Sequence, residues 1–265
     1  MPSPPDAPSF ECLRVSVDGP VGRLELHRPE RLNALSRQHL RELAAAARWF
    51  DSRRDVKVVG VTGAGRSFCA GFDLGDFSDP DPDLPMRDVA DLGRIMAEAV
   101  TDMRALTVAG VHGNCVGGGL VLAAACDLRV AGASATLCAA FIKTGLTATD
   151  IGLSWFLPRL IGVSRAFDLM LSGRTIDAVE AEHLGLVSRV IPDDELATAT
   201  LELADTVAGY TSYGLRASKE VMWANLDAPS LAAALALENR NQEMGAVHPE
   251  VTAYMAEYSK VVKKS

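Results

Sequence analysis

Residues 106–127, LTVAGVHGNCVGGGLVLAAACD, set an apolar run, three consecutive glycines and a second apolar run in that order. No other stretch restricts the fold as much. LTVAGVHG reads as a short strand, and LVLAAAC, apolar on every side, reads as a buried helix. Gly117 to Gly119 stand where that helix begins. Two readings fit them. A helix N-terminus presents N–H groups and partial positive charge, and glycines let a ligand oxygen come close. Tight strand–helix packing favours glycine as well. Leu120, Val121 and Leu122 carry no acid, base or nucleophile, so any chemistry at this turn belongs to the backbone.

A second turn bears on the choice. GRSFCAGFDL (65–74) follows another strand, VKVVGVTG (56–63), and contains Ala70-Gly71. Two such turns can aim two backbone N–H groups at one oxygen, which stabilises an enolate or tetrahedral oxyanion derived from a thioester. Around them, LRVSV (13–17) and GRLELHR (22–28) read as a hairpin. SRQHLRELAAAARWF reads as a helix with Ser36 as N-cap. DVADLGRIMAEAV is a further helix, and LRVAG and ATLCAAFI are strand-like. The Asp- and Pro-rich stretch 75–85 reads as a mobile loop, a common place for a pocket wall. A strand–strand–helix rhythm recurs up to about residue 195, after which long Ala-, Leu- and Glu-rich helices take over.

The chain has 265 residues, 48% of them hydrophobic, which suits one sizeable domain with an appendage or two small domains. A formal net charge of −8 argues against nucleic acid as a partner. The five cysteines are odd in number and form no C-x-x-C pair, which argues against a disulfide framework or a structural zinc and for a reducing, cytoplasmic setting. No apolar run is long enough to span a bilayer. MPSPPDAPSF lacks a basic and an apolar region and reads as a floppy arm, not a signal peptide.

HRPERLNALS (27–36), GRSFCAGFDL (65–74), GNCVGGGLVLAAACDLRVA (113–131), WFLPRLIG (155–162) and LSGRTIDAVEAEHLGLVSRVIP (171–192) together resemble the enoyl-CoA hydratase/isomerase, or crotonase, family. The resemblance runs in order from about residue 12 to the C-terminus. It implies an α/β spiral of strand–strand–helix units at 11–195, after a flexible arm at 1–10. It also implies a helical subdomain at 196–265 that builds a homotrimer or a dimer of trimers. The implied ligand is a coenzyme A thioester, bound as substrate, with no permanent cofactor and no metal. Phe72 and Gly118 would supply the two oxyanion N–H groups. Arg31 would lie near phosphate, Leu32 and Ala34 along the pantetheine, and the carbonyls of Ala70 and Phe72 near the adenine. Asp73 would brace the oxyanion turn and, with Leu74, belong to the CoA-binding set. Arg31 also reads as a solvated loop charge, and Lys219 either as a residue reaching CoA or as a solvated helix lysine.

The chain departs from the hydratase pattern at two places. Where those enzymes carry glutamates, this sequence has Val121 and Phe141, and neither activates water or donates a proton. One carboxylate remains nearby. Asp150 stands eight residues before Pro158, the offset from LPR at which several isomerases and a dehalogenase of the family carry a working aspartate. It is also placed to cap the apolar helix that follows. Trp155 and Phe156 read as acyl-pocket wall or as core. His112 reads as a local hydrogen-bonding residue, Cys69 as a buried thiol, and Asp127 with Arg129 as a structural pair. Three functions stay open: isomerisation with Asp150 as the single base, hydration by another route, and acyl-CoA binding without catalysis.

Overall fold

The computed structural model describes residues 7–78, 86–145 and 147–262. The first six residues of the N-terminal arm and residues 79–85 of the acidic loop therefore lie outside the described residues. β1 (Leu13–Asp18) and β2 (Val21–Leu26) form the antiparallel hairpin, with Leu13 opposite Leu26 and Asp18 opposite Val21. A 3-10 turn (Pro29–Arg31) leads to α1 (Arg37–Ser52). Ser36 caps α1: its hydroxyl oxygen accepts from the His39 N–H at 3.1 Å. β3 (Val58–Gly63) follows, then α2 (Leu74–Ser78) and α3 (Met86–Thr101). The start of the acidic stretch is thus helical and not loop.

β4 (Leu106–Val111), β5 (Asn114–Val116) and α4 (Gly118–Ala125) give the strand, glycine turn and helix in the expected order. All eight α4 residues are buried, as an all-apolar helix requires. β6 (Leu128–Gly132) and β7 (Thr136–Cys138) come next. ATLCAAFI is strand only over Thr136–Cys138; Ala140–Thr144 turns into a 3-10 helix. α5 (Leu153–Ile161), α6 (Val163–Ser172), β8 (Thr175–Asp177), α7 (Ala178–Leu184) and β9 (Val190–Ile191) complete this part. Four helices close the chain: α8 (Leu196–Ala208), α9 (Ser212–Asn225), α10 (Leu231–Ala246) and α11 (Pro249–Val262).

The strands form two sheets. The larger has the order β1-β2-β3-β4-β6-β9, parallel from β2 onward; the smaller is β5-β7-β8. The central strands β3 and β4 are apolar runs because both faces are covered. On one face α8 lays Ala204 and Ala208 against Val21, Val58 and Val108. On the other, Phe50, Phe68, Met96 and Leu120 belong to the main core. Each such large side chain contributes about 1.5–3 kcal/mol by leaving water.

α9 is fastened to the sheet by a buried ion pair. Lys219 Nζ lies 3.0 Å from Asp127 Oδ2 and donates to the carbonyls of Met103 and Ala105. Asp127 also accepts from the Thr107 N–H and hydroxyl and from Trp223 Nε1. The expected Asp127–Arg129 pair is corrected here. The hydrogen bonds of Arg129 go to the carbonyls of Leu186 and Cys126, and those of Asp127 to other groups. Lys219 is neither solvated nor extended toward a ligand.

Candidate active site

The site begins with the loop between β2 and α1. Leu32 and Asn33 both adopt left-handed backbone, with φ of 52° and 55°. Asn tolerates that region and Leu does not, so the conformation is held from outside. Asn33 does the holding. Its buried side-chain oxygen accepts from the Arg28 N–H at 2.9 Å, and its amide donates to the carbonyls of Ala64 and Ser67 at 2.9 and 2.8 Å. Every part of this amide that faces the loops has a partner, which stitches residues 28–33 to residues 64–67.

The stitched loops then align three segments. The Ala70 N–H donates to Leu32 O, the Leu35 N–H to Gly71 O and the Asp73 N–H to Leu35 O. On the other flank the Cys69 N–H donates to Asn114 O, and the Val116 N–H to Cys69 O. Residues 69–73 therefore lie between 32–35 and 114–116. Gly71, at φ 96°, passes so near that a Cβ there would sit 2.8 Å from the Val116 carbonyl oxygen and 3.8 Å from the Gly118 nitrogen. This register brings the Phe72 and Gly118 turns side by side.

The glycine triplet divides its tasks. Gly117 turns the chain at φ 50° and donates its N–H to Cys138 O at 2.9 Å. Gly119 is there for close packing: a Cβ would meet the Cys69 carbonyl oxygen at 2.4 Å. Gly118 opens α4, and the first intrahelical bond runs from the Val121 N–H to Gly117 O. The N–H groups before Val121 have no carbonyl to reach within their own helix. Over Gly118 lie Leu35 Cδ1, Phe72 Cε1 and Ile151 Cδ1, at 3.0, 3.6 and 3.7 Å from the place of a Cβ.

Asp73 is held by Arg28, whose Nη2 lies 3.1 Å from Oδ2 and whose Nη1 donates to Ala34 O at 2.8 Å. One guanidinium thus ties the turn after Phe72 to the loop before α1. Arg31 is exposed at the end of its 3-10 turn, Leu32 and Ala34 are half-buried, and Leu74 is largely exposed.

The matching family model, Enoyl-CoA hydratase/isomerase, covers residues 17–260. The chain belongs to the enoyl-CoA hydratase/isomerase family. The Mycobacterium tuberculosis (strain ATCC 25618 / H37Rv) protein named "Probable enoyl-CoA hydratase EchA12" is 38% identical over 234 residues, 84% of this chain and 80% of that one. A solved monofunctional enoyl CoA isomerase from M. smegmatis is 36% identical with a TM-score of 0.73, over 85% of this chain and 99% of that one. A solved structure described as "a putative enoyl-CoA hydratase" from Thermobifida fusca YX in complex with CoA is 30% identical with a TM-score of 0.83, over 96% of this chain and 99% of that one. The fold is the crotonase fold.

Val121 is fully buried and Phe141 nearly so. The Phe141 ring lies 6.3 Å from the Phe72 ring and 3.6 Å from the place of a Cβ on Gly117. Asp150 is half-buried before α5. It is not the cap of that helix: Gly152 takes the N-cap position, with no side-chain bond. Asp150 Oδ1 accepts instead from the adjacent Ile151 N–H at 2.8 Å. Burial raises its carboxyl above the usual carboxylate range, and the Ile151 N–H offsets part of the rise.

Asp150, Ile151 and Gly152 line a cavity of about 550 Å³ between α3 and α5, walled also by Ala97, Trp155 and Phe156 and rimmed by Arg94, Glu98 and Asp102. Phe72 and Gly118 are not in its wall. Ile151 belongs to both places, because it lines the cavity and touches the space over Gly118. Its φ of 37° is a left-handed conformation that a β-branched residue rarely adopts, at a cost of about 1–3 kcal/mol.

Two other candidates fall to structural roles. Cys69 is fully buried, which pushes its thiol up to about 12, so it is no nucleophile. His112 Nε2 lies 2.9 Å from Gly65 O, a local bond between loops. Asn33, Arg28 and Ile151 were not singled out from the sequence. Asn33 had a readable signal, an Asn in a loop after Pro-Glu-Arg; Ile151 had none, since nothing local forces Ile to a positive φ.

Proposed function

We propose that this protein isomerises the double bond of an enoyl-CoA, with Asp150 as the single base. The observation that carries the reading is the state of Asp150. It is half-buried, raised in pKa, bonded only to its neighbour's N–H among the bonds described for it, and open to a cavity. The Asp150 side chain is bonded to the Ile151 N–H and not to an N–H of α5, and Val121 and Phe141 offer no glutamate pair for hydration.

The reaction needs little else. The Asp150 carboxylate takes a proton from the α carbon of a 3-enoyl thioester. The electron pair delocalises to the thioester oxygen, which the Phe72 and Gly118 N–H groups stabilise. The same proton returns to the γ carbon, and the double bond ends between the α and β carbons. No water is consumed. Arg31, exposed beside the loop, would meet CoA phosphate, with Leu32, Ala34, Ala70, Asp73 and Leu74 around the same cleft. Similarity to the M. smegmatis isomerase supports the isomerase reading, and the CoA complex of the T. fusca protein supports the CoA ligand.

Similarity to EchA12 favours a second reading, hydration of 2-enoyl-CoA with water activated by Asp150. Spectrophotometric assays with 2,3- and 3,4-unsaturated CoA esters separate the two. Isomerisation predicts interconversion with no 3-hydroxyacyl-CoA; accumulation of the hydroxy product would support the second.

Assembly into trimers belongs to the same proposal. Val163, Phe167 and Leu171 on α6, Met222, Leu231, Met255 and Tyr258 on α9–α11, and Leu226 just after α9 are exposed apolar side chains of the kind a subunit interface covers.

A further inference from the structure

We infer that Ile151 sets acyl specificity, as a threshold between the backbone oxyanion turns and the cavity at Asp150. The inference rests on the proposed acyl-CoA reading and deepens it to a substrate class. Ile151 Cγ2 packs so closely on Gly93 of α3 that a Cβ there would lie 2.4 Å away. Its Cδ1 reaches toward Gly118, and the Phe72 ring touches the same two glycines. The side chain thus bridges α3 and the start of α4, next to where a thioester carbonyl would be held. Asp150, its neighbour in the chain, lines the same cavity.

An acyl chain held at Phe72 and Gly118 and extending toward the cavity meets Ile151, which lies beside Gly118 and lines the cavity. Space at the threshold is narrow, walled by Leu35, Phe72 and Ile151. Beyond it the wall is mainly Ala97, Trp155 and Phe156, with ion-paired Arg94 and Glu98 at the rim. The geometry fits an acyl group slender at its first carbons and extended beyond them: a straight chain of medium length or longer, with no branch at the α carbon. A four-carbon chain ends at the threshold and leaves the cavity unfilled.

The left-handed backbone makes Ile151 a positioning residue too. The strained turn directs its N–H onto Asp150 Oδ1 while its side chain fills the threshold. Glycine adopts this φ freely, and alanine does not.

The test is a panel of 4-, 8- and 12-carbon straight-chain enoyl-CoAs and a 2-methyl-branched ester, run on wild type, Ile151→Ala and Ile151→Gly. Wild type should prefer the longer straight chains and reject the branched ester. Ile151→Ala should admit the branched ester, narrowing that discrimination by about tenfold in kcat/KM, the scale of a few methyl groups in an apolar pocket, and leave the chain-length preference in place. Ile151→Gly should melt higher than Ile151→Ala, the reverse of the usual order. Should turnover be absent, calorimetry with the matching saturated acyl-CoAs gives the same profile as affinities. An Ile151→Ala profile that matches wild type overturns the inference. Loss of all acyl-CoA binding in wild type overturns the underlying reading instead.

Discussion

Oδ1 of Asp150 accepts the backbone N–H of Ile151, its neighbour in the chain, at 2.8 Å. The bond is local and leaves the carboxylate facing a cavity instead of a helix end. Burial still dominates, and the carboxyl sits above its ordinary value. As a base it must be ionised, so kcat/KM for isomerisation should rise with pH through an acid limb above the usual aspartate value of about 3.9. A pH–rate profile from 4 to 8 checks this, and a flat profile over that range speaks against Asp150.

The same shift has a stability sign. A carboxyl raised in the folded state binds its proton more tightly there than in the unfolded chain. Its contribution is therefore full below the unfolded value and is lost as pH rises through the folded one. Asp150→Asn removes that loss and keeps an oxygen for the Ile151 N–H. The variant should melt at or above wild type at pH 7, with the gap closing toward pH 4. Thermal denaturation at the two pH values reads it.

Lys219→Met should destabilise by about 3–5 kcal/mol, because it strands Asp127 as a buried charge. Thr107 and Trp223 would still donate to the carboxylate, which places the effect in the lower part of that range. Urea denaturation at fixed protein concentration measures it. A variant as stable as wild type would mean that α9 is held by other contacts.

Much of the fold was legible because its signals are local. Ser36 before an amphipathic run caps α1, and alternating LRVSV and GRLELHR pair as a hairpin. The glycine triplet was legible as a turn, but its division of labour was not. Gly119 is required by the Cys69 carbonyl, which only the folded chain brings near. Asp127 was misassigned to Arg129 because two charges two residues apart look paired. The actual partner, Lys219, comes from a distant helix. Ile151 was invisible for the same reason: packing on Gly93 and Gly118 fixes its backbone, and neither neighbour is close in sequence.

Gly119→Ala should act on the proposed oxyanion turn without touching a side chain of the proposed reaction. The added Cβ must displace Cys69, whose carbonyl accepts the Val116 N–H and whose turn carries Phe72. Turnover should fall by about 10²–10³-fold, as when one oxyanion donor is misplaced. Acyl-CoA turnover against circular dichroism of the folded variant tests this, and near-normal kcat would argue that the Phe72 turn does not hold the thioester oxygen.

Light scattering at micromolar concentration should give a trimer or a hexamer. The exposed stripe of Val163, Phe167 and Leu171 recurs every fourth residue along α6 and has no cover within the subunit's described residues. A Phe167→Glu variant should shift the population toward smaller species. A monodisperse wild-type monomer would contradict the assembly.

The most direct measurement is isomerase turnover of Asp150→Asn on a 3-enoyl-CoA that wild type converts. Asn keeps the size and the acceptor oxygen for the Ile151 N–H but cannot take the α proton. The account predicts a fall of about 10²-fold or more in kcat, with saturated acyl-CoA affinity unchanged. Full turnover by a folded Asp150→Asn would contradict it.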